Sequence, residues 1–248
     1  MIVGASTDIG IIREINQDFM FVSKNSDFPL FIVADGMGGH KAGEVASEMA
    51  VSIITTALSS RLLDEDVTVN IEKEILDAIK RANLDILNYS KSVESCDGMG
   101  TTITLGYINN SKIYIGHVGD SRSYLIREGN LKQLTDDHSL VNELLKNGNI
   151  TQEEAMKHPQ KNIITRAVGT TDNICIDTSS YELVNDDIIL FCSDGLTNMV
   201  EEDKLTKLFM EEKDIQQACD KAVIMAKDKG GRDNITVVAI RFIEVIKW

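Results

Sequence analysis

Leu30-Phe-Ile-Val-Ala-Asp35-Gly-Met-Gly-Gly-His40 reads as a buried strand that ends on an acid and a glycine-rich turn. Five apolar residues in a row, closed by Asp-Gly, fit a strand covered on both faces. Beyond the turn, the helical spacing of Val45, Met49, Ile53 and Ala57 predicts a core-facing helix over 43–60. The pattern returns at Leu190-Phe-Cys-Ser-Asp194-Gly195. Two apolar strands therefore each deliver an Asp-Gly pair at their C-terminal end.

The rest of the chain extends this frame. Residues 2–5 and 19–23 are expected strands, and Ile71, Ile75, Ile79, Ala82 and Ile86 form one face of a helix over 71–89. Strand pairs 101–108/111–118 and 122–127/131–134 flank Asn109-Asn110 and Glu128-Gly129-Asn130, both hairpin-type turns. Segment 135–180 is less regular, with short helical pieces near 139–146 and 151–157. A strand over 187–192, helices over 201–210 and 214–228, and a strand over 235–243 complete the chain. This order favours an α+β layered domain over repeated βαβ units.

Composition excludes whole classes. At 248 residues, 43% hydrophobic and 26% charged, the chain is neither disordered, collagen-like nor a coiled coil. Its only prolines are Pro29 and Pro159, so no proline-rich linker divides it. A net charge of −14 opposes nucleic-acid binding and docking on anionic membranes. Cys96, Cys175, Cys192 and Cys219 lack zinc-ligand spacing and suit a reducing compartment. With no leader-like apolar stretch around Arg13 and no apolar run near the ~18 residues of a membrane span, the expectation is a cytoplasmic protein.

The chemistry lies in aspartates at strand ends: Asp18, Asp35, Asp120, Asp194 and Asp233. Any one is explained by turn chemistry, since Asp-Gly is a common turn dipeptide. If the strand ends converge on one rim, however, several carboxylates share a small volume and raise one another's pKa. Divalent cations relieve that repulsion, and an all-oxygen donor set selects hard ions such as Mg²⁺ or Mn²⁺.

The ordered set Arg13-Glu-Ile-Asn-Gln-Asp18, Asp35-Gly-Met-Gly-Gly-His40, Gly100-Thr-Thr102, Val118-Gly-Asp-Ser-Arg122, Ser193-Asp-Gly195 and Gly231-Arg-Asp-Asn-Ile-Thr236 resembles the PP2C-type (PPM) metal-dependent Ser/Thr protein phosphatases, in their short bacterial form. The resemblance implies a four-layer α/β/β/α sandwich of two packed antiparallel sheets flanked by helices. It implies one catalytic domain over 1–248, with a flap at about 135–180. Asp35 would bridge two metals with the Gly36 carbonyl as a further ligand. Asp194 and Asp233 would complete the first site, Asp18 would act through metal-bound water, and Asp120 would help hold a third, weaker ion. Arg13 would bind the substrate phosphate and His40 would assist the leaving group. A water bridging two Mg²⁺ or Mn²⁺ ions would attack phosphorus as hydroxide. Gln17 stands where some members carry Glu.

The implied activity is hydrolysis of phosphoserine and phosphothreonine in proteins, by a monomer opposing a cognate Ser/Thr kinase. A pseudophosphatase of the same fold is the alternative, and the presence of Asp35, Asp194 and Asp233 favours the enzyme. No cysteine has an arginine six residues later, which excludes the Cys-x5-Arg nucleophile loop. Arg122 is expected to hold its turn against nearby acids, and His117, His138 and His158 to be structural or surface groups.

Overall fold

The computed structural model describes residues 1–25, 27–38, 42–63 and 69–243. In chain order the elements are β1 (Ile2–Asp8), β2 (Asp18–Val22), β3 (Leu30–Met37), α1 (Gly43–Leu62) and α2 (Ile71–Ser92). A strand-rich middle follows, with β4 (Gly100–Thr101), β5 (Ile103–Asn109), β6 (Lys112–Val118), β7 (Arg122–Arg127) and β8 (Asn130–Gln133). Helices α3 (Leu140–Lys146) and α4 (Gln152–Lys157) lead to β9 (Asp177–Glu182) and β10 (Ile188–Cys192). The chain closes with α5 (Asp194–Thr197), α6 (Glu202–Glu211), α7 (Ile215–Asp228) and β11 (Ile235–Arg241).

The strands form two antiparallel sheets. One has the order β1-β11-β10-β7-β8; the other runs β2-β3-β5-β6-β9, with β4 paired to β3. Successive side chains of a strand point to opposite faces, and that period builds the layers here. Leu30, Ile32 and Ala34 of β3 face α1 and α2, while Phe31 and Val33 face the other sheet. On β10, Ile188, Leu190 and Cys192 pack under α5, α6 and α7, while Ile189 and Phe191 join the inter-sheet core. The result is the expected α/β/β/α sandwich.

Local chemistry accounts for the turns and caps. Glu128 and Gly129 both have positive φ, 52° and 77°, as a two-residue primed hairpin turn requires. Asn70 and Asp214 cap α2 and α7 through side-chain oxygens, and Thr151 and Glu154 make a capping box on α4.

Three details depart from the sequence reading. The α1 face that meets the sheet is Ala46, Ala50, Ile54 and Leu58; Val45, Met49, Ile53 and Ala57 pack beside it, partly buried. Alanines take the first turns of that face, at 46 and 50, because α1 starts so close to β3: a Cβ on Gly36 would stand 2.0 Å from the Gly43 carbonyl oxygen. Strand β9 begins inside the segment 135–180 read as irregular and runs on to Glu182; as a half-exposed edge strand it lacks an apolar alternation. The single turn α5 was also unforeseen. Among the described residues no helix is long and apolar enough to cross a membrane.

Candidate active site

The antiparallel pairing fixes where the acids lie. Asp18 opens β2 directly opposite Asp35, near the end of β3. In the other sheet, Cys192 pairs with Val237, so Asp194 leaves β10 at the end where Asp233 enters β11. Asp120 lies in the connection from β6 to β7, which carries the chain from one sheet to the other. All five aspartates thus gather at one rim of the sandwich. Ser193 ties the halves together: its Oγ donates to Asp18 Oδ2 at 2.7 Å and accepts from the Thr236 amide at 3.0 Å.

The convergence shows in proton affinity. Burial, then Asp194 and Asp233, push Asp18 up to about 7 against the hydrogen bonds from Ser193 and Thr236. Burial, Asp194 and Asp137 raise Asp120 to about 8. Burial and then Asp233 raise Asp194 to about 6, while Arg122, Arg13 and Asn198 hold it down. Asp35 is raised well above the carboxylate range by burial and then by Asp18, Asp194, Asp120 and Asp233. Like charges in a poorly solvated site account for every one of these shifts.

These residues fit divalent ions. Asp18 Oδ1, Asp120 Oδ1 and Asp194 Oδ1 are buried with no hydrogen-bond partner. An unpaired buried carboxylate oxygen is costly, and three on one rim ask for cations. No three His, Cys, Asp or Glu side chains among the described residues stand close enough to enclose an ion by themselves.

A second set of groups holds the acids in place. The Asp35 amide donates to Thr102 Oγ1 at 2.9 Å, and its carbonyl accepts from the Thr102 amide and from Thr101 Oγ1. Thr102 Oγ1 also meets Ser121 Oγ at 2.7 Å, linking the Asp35 strand to the residue after Asp120. Asn234 donates to the carbonyls of Ile9 and Ile15 and accepts from the Gln17 amide, fastening the β1–β2 loop to the Asp233 turn. Ser193, Thr101, Thr102 and Asn234 were quoted in the sequence motifs without a role. Their signal was adjacency to the aspartates, and their partners are too distant in sequence to be read.

Arg13 reaches the same rim, where its Nη2 donates to Asp233 Oδ2 at 2.8 Å. Arg122 holds its turn as expected, donating from Nε and Nη2 to Asp137 at 2.9 and 2.6 Å. His117 and His138 are buried beside each other, with ring centroids 4.8 Å apart. His40 lies outside the described residues.

Residues 13–227 match the family model described as Protein phosphatase 2C. The chain belongs to the protein phosphatase 2C family. A serine/threonine phosphatase stp of Listeria welshimeri is 42% identical over 238 residues, spanning 94% of this chain and 93% of the relative. Among solved structures, the Mycobacterium tuberculosis serine/threonine phosphatase PstP/Ppp superposes with a TM-score of 0.88 at 31% identity, covering 97% of this chain and 98% of that one. A PstP catalytic domain in complex with two manganese ions gives a TM-score of 0.85 at 31% identity, with 97% of each chain covered. The PP2C pattern read from the motifs is therefore matched in both sequence and fold.

Proposed function

We propose that this chain is a Mg²⁺/Mn²⁺-dependent phosphatase that hydrolyses phosphoserine and phosphothreonine in proteins and opposes a Ser/Thr kinase. The observation that carries this reading is the set of unpartnered buried carboxylate oxygens on Asp18, Asp120 and Asp194, drawn from both sheets to one rim beside Arg13.

Asp35 with the Gly36 carbonyl, Asp194 and Asp233 would hold two ions, as PstP holds two manganese ions. Asp120 would contribute to a third and weaker ion, and Asp18 would act from the outer side of the pair. When bound, such ions acidify water and neutralise phosphate charge. The chain's own groups do the rest. Arg13 turns its planar fork from Asp233 to two phosphate oxygens, a geometry an ammonium cannot match. Asp233 is freed for the ions by the same movement. Ser193 and Thr102 keep the backbones of the two acid-bearing strands in register. His40 would deliver a proton to the departing Ser or Thr oxygen.

Segment 135–180 would act as a flap within a single catalytic domain over 1–248. The setting would be the cytoplasm and the active form a monomer. A pseudophosphatase has less support, because every expected carboxylate is present and gathered on the rim. The test is Mn²⁺-dependent hydrolysis of p-nitrophenyl phosphate and of a phosphothreonine peptide, abolished by EDTA. A folded, Mn²⁺-loaded protein inert on both substrates overturns the reading.

A further inference from the structure

The loop that carries Arg13 to the acidic rim is apolar and faces solvent. Ile9, Ile11 and Ile12 are 36%, 59% and 66% exposed. Isolated exposed isoleucines need no explanation, but a contiguous group beside a polar site does.

The backbone explains why these side chains point outward. Gly10 has φ +82°, and its Cα lies so close to the Asp233 turn that a Cβ would stand 2.2 Å from the Asp233 carbonyl oxygen. The amides of Ile11 and Ile12 both donate to the Gly231 carbonyl, at 2.7 and 3.4 Å, and the Ile9 carbonyl accepts from Asn234 Nδ2 at 2.9 Å. The inward face of the loop is spent on backbone contacts with the Gly231–Asn234 turn. Ile12 is left on the outer face, and Ile11, whose Cγ1 lies over Gly231, keeps most of its side chain in solvent, immediately before the arginine that reaches Asp233.

We propose that Ile11 and Ile12 form an apolar lip that receives the substrate residues flanking the phosphorylated Ser or Thr, selecting phosphopeptides with large aliphatic or aromatic neighbours. The inference rests on the phosphatase reading above and deepens it. Consecutive Cα atoms are ~3.8 Å apart. A phosphate held by Arg13 therefore brings the adjoining substrate residues within reach of Ile12 and Ile11. The lip is held by hydrogen bonds before substrate arrives, so little ordering cost opposes its use. With a net charge of −14, the protein's long-range field offers acidic phosphopeptides no attraction. Burial of apolar neighbours supplies one.

The test compares phosphothreonine peptides with Leu or Ile on both sides against the same peptides with Ser on both sides, in Mn²⁺, with p-nitrophenyl phosphate as a reference without flanks. Wild type is expected to favour the apolar-flanked peptide by about tenfold in kcat/KM, chiefly through KM, as burial of two aliphatic contacts implies. In Ile12→Ser and in the Ile11→Ser/Ile12→Ser double variant that preference falls toward unity, and the ratio of peptide to p-nitrophenyl phosphate turnover falls with it. Circular dichroism confirms that both variants are folded; should the double variant unfold, Ile12→Ser alone decides. No preference in wild type, or a preference that survives Ile12→Ser, overturns the lip. So does a wild-type dimer made monomeric by Ile12→Ser with peptide selectivity unchanged, which would make the lip a contact between copies. An enzyme inert on p-nitrophenyl phosphate too overturns the phosphatase reading itself, and the lip falls with it.

Discussion

Arg13 and Asp233, separated by 220 residues of chain, meet at 2.8 Å on the acidic rim. Both side chains are partly exposed, 47% and 34%, so the pair contributes little to stability. On the proposed function its value is positional: the guanidinium rests against a carboxylate that a substrate phosphate would replace. Arg13→Ala is expected to shift the melting temperature by no more than about 2 °C, the scale of an exposed ion pair. The same variant should raise KM for a phosphothreonine peptide about tenfold or more, the scale of a lost charge-assisted contact. Arg13→Lys should recover only part of that loss. Steady-state kinetics with thermal melts checks it; an unchanged KM removes Arg13 from phosphate binding.

Asp35 is raised by burial and by four other aspartates. Replacing it with Asn removes a buried carboxyl that must either carry a repelled charge or take up a proton on folding. The ion-free protein should therefore melt higher than wild type, while kcat/KM falls by about 10³-fold or more, the scale of a lost principal electrostatic group. The rise in melting temperature that Mn²⁺ gives to wild type should shrink or vanish. Scanning calorimetry with and without Mn²⁺ reads both effects; Asp35→Asn that melts lower than wild type without metal contradicts the repulsion argument.

The strand-end acids were legible in the sequence because apolar runs closed by Asp-Gly announce both a strand and its end. Strands such as β3 and β10, apolar on both faces, pointed to a layered α+β domain; the four-layer order itself was implied by the family resemblance. What joins the two halves was not legible. Ser193 reaches Asp18 across 175 residues, and Asn234 reaches Ile9 and Ile15 across more than two hundred. Such partners are set by sheet register, which no local pattern reveals. Strand β9 was missed because it is a polar edge strand held by pairing with β6. The α1 stripe was displaced by one residue: close approach near Gly36 favours Ala46 and Ala50 over Val45 and Met49, and the helical period then carries Ile54 and Leu58 onto the same face.

The pH dependence of the ion-free fold follows from the signs. Asp194, Asp18 and Asp120 are raised to about 6, 7 and 8. Their contribution to stability is complete below the unfolded carboxylate range and is lost as pH climbs through those values. His117 is lowered to about 4 by burial, so its contribution is complete above about 6.5 and fades on acidification. In EDTA the melting temperature should therefore be higher at pH 6 than at pH 8.5. Saturating Mn²⁺ should remove most of the alkaline loss. Equal ion-free melting temperatures at both pH values contradict a mutually repelling cluster.

His138 joins segment 135–180 to the turn carrying Asp120. The Gly119 amide donates to its Nδ1 at 3.1 Å, and the His138 amide donates back to the Gly119 carbonyl at 2.7 Å. With Nδ1 accepting, Nε2 carries the proton and donates to Asp177 Oδ2 at 3.2 Å. His138→Ala leaves the Gly119 amide and the Asp177 carboxylate without this partner. A loss of about 2 kcal/mol is expected for breaking buried hydrogen bonds, or roughly 4–8 °C in a chain of this size. Limited proteolysis should cut segment 140–165 faster than in wild type. Unchanged melting and cleavage would show that the segment is held by other contacts.

Gly195 and Gly36 follow the two echoing aspartates, and each has a backbone oxygen where a side chain would begin. A Cβ on Gly195 would stand 1.9 Å from the Asn234 carbonyl oxygen; on Gly36 it would stand 2.0 Å from that of Gly43. Neither oxygen ends a flexible side chain, so the strands or the helix must move. Gly195→Ala pushes apart the turns that bring Asp194 beside Asp233. It is expected to cost about 1–3 kcal/mol of stability, as overpacking does. A Mn²⁺ titration followed by calorimetry should show weaker binding in the folded variant if, as proposed, Asp194 and Asp233 share an ion, because the displaced turn separates the two carboxylates. A Gly195→Ala protein with wild-type melting temperature and Mn²⁺ affinity would show that the Asp194–Asp233 spacing tolerates displacement of the turn.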